Sequence, residues 1–137
     1  MEHSKQSIIQ RDAGLLADRI EFVPDAWLST IEGIPSGVFF VMAFWSAPAR
    51  RAFQRLIEVV LQHDLDARLR IVVVDIEDSS ELCKTPPFST LGGWGETFWI
   101  RSGEIAFSSG IGLNSDCIEP NTIALIDSLS GGENTKA

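Results

Sequence analysis

The longest apolar block runs from Val38 to Trp45 (VFFVMAFW), eight residues without a charge. A block that short fits a strand covered on both faces; crossing a bilayer as a helix takes about 20 residues. Arg70 to Asp75 (RIVVVD) is β-branched and continuous, and it predicts a second strand of the same kind. Between the two, Ala49, Ala52, Phe53, Leu56, Ile57 and Val60 recur at helical spacing, with Arg50, Arg51, Arg55 and Glu58 off the stripe. That pattern predicts a helix ending near His63. Strand, helix and strand in this order make a parallel pair with a right-handed crossover.

Shorter patterns flank this unit. Upstream, Arg19–Val23 reads as a strand and PDAWLSTIE, from Pro24, as a helix with proline in its first turn. Residues 1 to 13 show no sustained period, and Gly14–Ile20 predicts a short helix docked on the domain. Downstream, SSELCK gives a helical turn and TPPFSTLGGWG a loop. Thr97–Arg101 and Glu104–Ser109 form a hairpin about the two-residue turn Ser102-Gly103. Cys117–Leu129 predicts a terminal helix. The expected division is an N-terminal extension over 1–18, one domain over 19–130 and a disordered tail over 131–137.

Composition narrows the partners. The 137 residues fit a single core. With 11 Lys and Arg against 19 Asp and Glu the net charge is −8, which repels phosphate backbones and makes nucleic acid an unexpected partner. No membrane contact is expected either. The N-terminal stretch lacks the basic start, apolar centre and cleavage site of a secretory signal, so a cytoplasmic location is expected. Two cysteines, Cys83 and Cys117, make neither a disulfide framework nor a zinc pattern. No cofactor and no metal is expected.

The turn Trp45-Ser46-Ala47-Pro48-Ala49, opening the long helix, resembles the W-C-x-P-C-K turn of the thioredoxin-like superfamily. VVVDIEDSSEL and TFWIRSGEIAFSSG are similar to two further segments of that family, and the resemblance extends from about Arg19 to Leu129. It implies a three-layer α/β/α sandwich around a mixed sheet of four to five strands. Ser46 and Ala49 stand where the family has its two cysteines. Dithiol exchange needs one thiolate to attack and a second thiol to resolve, so this turn cannot run it. The family's buried acid falls at Phe40. Its cis-proline falls at Glu96, before Thr97; a cis bond before a non-proline residue costs about 2.5–4 kcal/mol, so Gly95–Glu96 is expected to be trans.

Other residues carry two readings each. Ser46 is a helix cap rather than a nucleophile, because His63 lies 17 residues further along, about 25 Å at 1.5 Å per residue. Arg50, Arg51 and Arg55, with Arg68 and Arg70, make either a solvated face or an anion site at the helix N-terminus, where Glu96 is placed to act as an internal anion. Asp75, Glu77 and Asp78 read as a polar loop before they read as a metal site. Trp94, among glycines, is either a plug or an exposed anchor.

The expectation from this pattern is a non-catalytic, non-enzymatic protein that binds another protein as an adaptor or dedicated chaperone. Arg50, Arg51, Trp94 and Glu96 are its expected contact residues, and a second copy of the chain is among the candidate partners. Hydrogenase-maturation thioredoxin-like proteins, which assist an export-bound subunit, are similar in length and also lack the cysteine pair. An immunity or toxin-partner protein would look much the same. The alternative is a thiol enzyme using Cys83 or Cys117, although Asp116 beside Cys117 disfavours its thiolate. Glutathione binding through Ser46 is disfavoured, since the cis-proline and an all-helical second domain are absent.

Overall fold

A computed structural model describes residues 5–109 and 115–134. Five strands, β1 (Ile20–Val23), β2 (Ser36–Met42), β3 (Arg70–Asp75), β4 (Thr97–Arg101) and β5 (Glu104–Ser108), form one sheet in the order β1-β3-β2-β4-β5. The pairs β1–β3 and β3–β2 are parallel, and β2–β4 and β4–β5 are antiparallel. Helix α3 (Ala47–His63) makes the crossover from β2 to β3.

Alternation along the central strands divides the interior in two. Val38, Phe40, Met42, Ile71, Val73 and Trp99 face one way, where α1 (Lys5–Ala13), α3 and α4 (Ile118–Asn134) supply Ile9, Phe53, Leu56 and Leu125. Phe39, Val41, Val72, Val74, Phe98 and Ile100 face the other, with Ile31 of α2 (Leu28–Glu32) and with Leu82 and Phe88 from two short 3₁₀ turns. The result is the three-layer α/β/α arrangement with a five-stranded mixed sheet. At the β4–β5 turn, Ser102 and Gly103 both take positive φ, 55° and 76°, the pairing that suits a two-residue hairpin.

Three boundaries differ from expectation. The helix predicted from Pro24 begins only at Leu28, because the Ala26 N–H donates to Ser79 Oγ at 2.9 Å and Trp27 is extended. The terminal helix continues to Asn134, so residues 131–134 are helical; 135–137, the rest of the expected disordered tail, lie outside the described residues, as do residues 1–4 with His3 and 110–114.

The largest difference is at the N-terminus, where residues 5–13 form a helix and 14–19 a 3₁₀ turn. Ile9, Ala13 and Leu16 are core side chains, exposed by 3% or less. Ion pairs tie the segment down along its length: Lys5 to Asp75, Asp12 to Arg50 at 3.0 Å and Arg19 to Asp64 at 2.6 Å. Three buried apolar side chains, with Ala17 packed beside them, are too few in fifteen residues to stand out as a period. Residues 5–19 nevertheless pack into the same core as the strands.

Two consequences are measurable. Ile9→Ala is expected to cost about 2–5 kcal/mol in urea unfolding, the range for a buried truncation; a change within about 0.5 kcal/mol would mark the helix as peripheral. The second concerns α4, whose Glu119 accepts from His63 Nε2 (2.7 Å) and Arg55 Nη2 (3.1 Å). The His63 hydrogen bond, with Arg55 adding, holds the Glu119 carboxyl below its usual 4.5. A depressed folded-state pKa contributes stability above the unfolded value and loses it as pH falls through the folded one. Denaturant midpoints measured downward from about pH 5 should therefore fall more steeply for the wild type than for Glu119→Gln.

Candidate functional site

β2 ends at Met42, and the chain turns through Ala43–Ser46 into α3. Ser46, 6% exposed, has extended dihedrals, and its Oγ accepts the Ala49 N–H at 3.2 Å. Pro48 lies in the first turn of the helix, where its missing N–H leaves no gap. The hydroxyl is thus a cap. His63, at the far end of α3, is engaged with Glu119 and offers Ser46 no base.

Facing this turn is the loop before β4. Gly93 and Gly95 have φ of +80° and +85°, a region side chains avoid. A Cβ on Gly93 would lie 2.6 Å from the Trp45 ring, and one on Gly95 would lie 2.8 Å from Ala52 Cβ and 3.0 Å from Ala49 Cα. These glycines let the loop backbone rest on Trp45 and on α3. Phe40 closes the floor beneath, its ring 5.3 Å from that of Phe53. The Gly95–Glu96 bond is trans.

Glu96 is buried at 1% exposure. Its carboxylate accepts the Gly92 N–H at 2.8 Å and the Trp94 N–H at 3.2 Å, while its carbonyl accepts from Val41 at 3.0 Å. The carboxylate therefore staples its own loop, and is neither a contact residue at the surface nor the anion for the α3 N-terminus. Distance along the backbone decides this: N–H groups two and four residues back are within reach once the glycines fold the loop over.

Between turn and loop lies a groove of about 330 Å³, walled by Trp45 to Pro48 on one side and Gly92 to Trp94 on the other. Trp45 is 64% exposed and Trp94 40%. Trp94 is a wall of the groove and not a plug of the core. Trp27, which the sequence did not single out, is also half exposed at the same edge of the sheet, after β1.

The arginines do not gather. Arg68 and Arg70 precede and open β3, at the end of the sheet opposite the start of α3. Arg70 forks onto Glu21 at 2.6 and 2.8 Å, and Arg55 pairs with Glu58 and Glu119. Arg50 is held by Asp12, which takes the part of the anion that Glu96 was expected to play. Arg51 is exposed. Asp75, fully buried, is committed to Lys5, which also reaches Glu77 and Asp78, and no metal-holding group occurs among the described residues.

Cys83 and Cys117 are reduced, partly buried, and absent from the groove walls. Burial pushes both thiols up, and Asp116 adds to this at Cys117.

No family model matches the sequence, and no curated protein does. Solved structures do. Thioredoxin from Trypanosoma brucei brucei superposes with a TM-score of 0.62 at 15% identity, covering 79% of this chain and 91% of that one. The fold is thioredoxin-like. Reduced desulfothioredoxin from Desulfovibrio vulgaris Hildenborough gives 0.58 at 19% identity, with 80% and 95% covered. Oxidised mitochondrial thioredoxin 3 from Saccharomyces cerevisiae gives 0.58 at 16%, with 79% and 94% covered. Within the thioredoxin-like frame, the groove lies at the turn resembling W-C-x-P-C, with no sulfur in it.

Replacing Glu96 by Gln keeps the volume and one acceptor but turns an amide toward the second N–H. The expected loss is about 1–3 kcal/mol, read by urea unfolding, with faster amide exchange confined to Gly92 and Trp94. Unchanged exchange there would show that the carboxylate does not hold the loop.

Proposed function

We propose that this thioredoxin-like protein acts without redox turnover, binding another protein as an adaptor or dedicated chaperone through the groove between Trp45 and Trp94. The observation that carries the reading is the pairing of two exposed indoles with a turn whose cysteine positions hold Ser46 and Ala49. Exposed tryptophans over a shallow apolar floor are typical of binding anchors. The ion pair of Arg50 with Asp12 and the burial of Glu96 move the expected contact surface toward the tryptophans, with Arg51 still exposed.

The thiol-enzyme alternative draws no support from the two cysteines. A catalytic thiol has a lowered pKa in an accessible, electropositive place, whereas burial raises both of these. Two reduced thiols suit a reducing compartment, and a cytoplasmic location belongs to the same proposal. No helix among the described residues is long and apolar enough to cross a membrane. The likeness to hydrogenase-maturation thioredoxin-like proteins is compatible with a chaperone role.

The test has two arms. With dithiothreitol as reductant, insulin precipitation should proceed at the background rate, and turnover above it would overturn the non-catalytic half. Affinity capture from the native host with the wild type and with Trp45→Ala/Trp94→Ala should show a protein retained only by the former. Identical captures would remove the groove from the function.

A further inference from the structure

We infer that the groove recognises an uncharged, proline-rich segment in the extended polyproline conformation, an inference that rests on the protein-binding reading above and specifies the partner's chemistry. Three properties of the groove select this occupant. Its walls carry no charged side chain although the chain as a whole has net charge −8. A charged ligand group would lose water there and find no counter-charge.

The second property is the inventory of donors and acceptors. A strand added to this loop would need backbone N–H and C=O groups facing it. The N–H groups of Gly92 and Trp94 are taken by the Glu96 carboxylate, the Glu96 carbonyl by Val41 and the Gly95 carbonyl by the Thr97 hydroxyl. The Ser46 hydroxyl oxygen is engaged as the helix cap. The groove is also bordered by two indoles, each carrying an N–H. Trp99 donates its own to Thr122 at 3.0 Å, whereas those of Trp45 and Trp94 have no acceptor among the described residues. A polyproline segment has no N–H to satisfy and presents a row of open carbonyls. Its carbonyls can take the two indole N–H groups, and it asks the groove for no acceptor in return.

The third is shape. Two indoles and the Pro48 ring border a shallow space of about 330 Å³, at the small end of the range of about 300–1,000 Å³ for sites that bury a compact ligand. Pyrrolidine rings stacking on aromatic walls use such a space, and a preformed polyproline helix gives up little entropy on docking.

The experiment uses the full chain, isotopically labelled, with its indole N–H resonances followed by NMR. Three capped ten-residue peptides are titrated to millimolar concentration: decaproline, an alternating Val-Thr strand former and a lysine-rich peptide. Decaproline is expected to move the Trp45 and Trp94 resonances and leave those of Trp27 and Trp99 in place. Trp45→Ala and, separately, Trp94→Ala should each weaken it by about tenfold or more, with Trp27→Ala unchanged. If only the Val-Thr or lysine peptide moves Trp45 and Trp94, the proline assignment falls while the groove remains a protein-binding site. If none of the three moves them, both readings fall, and movement at Trp27 alone overturns the assignment as well.

Discussion

β2 and β3 have no face turned to water. Phe39, Val41, Val72 and Val74 belong to one core and Val38, Phe40, Met42, Ile71 and Val73 to the other. Side chains that alternate while staying apolar throughout require cover on both sides, and this single demand arranges the remaining elements. α1, α3 and α4 cover one face, and α2 with two short turns covers the other. The parallel pairing of β2 and β3 then obliges α3 to start where β2 ends, so the turn from Ala43 to Ser46 emerges at the carboxyl edge of the sheet. α/β folds commonly place their sites at that edge.

The groove is the meeting of this turn with one loop, and the loop keeps its form through Glu96. A buried carboxylate accepting two N–H groups is a strong local constraint, and it works only because Gly93 and Gly95 let the backbone close over Trp45 and α3. The same arrangement commits several polar groups of the loop internally. The uncharged walls and the shape of the groove therefore follow from how the loop is held, not from the tryptophans alone.

Much of this was legible in the sequence. Continuous apolar runs and one clean helical stripe gave α3 and β3 nearly to the residue and β2 shifted by two or three residues at each end, and Ser46 with Pro48 gave the cap, since each is a local signal. Contacts between distant segments were not legible. Asp12 finding Arg50, Lys5 finding Asp75 and Glu96 turning back on Gly92 depend on three-dimensional closure, so the arginines looked like one cluster when the fold sends them to opposite ends. Trp27 left no mark, because a tryptophan at the start of a short helix looks the same whether it faces core or solvent.

The ion pairs of the N-terminal segment bear on how much of the chain the sheet needs. The side chains of Asp64 and Asp75 are 1% and 0% exposed, and their cations, Arg19 and Lys5, arrive from residues that precede every strand. A proteolytic cut or gene rearrangement that discarded those residues would strand two carboxylates in the interior, and a buried charge deprived of its partner typically costs about 3–5 kcal/mol. The loss of a few leading residues would thus be felt at both ends of the sheet at once.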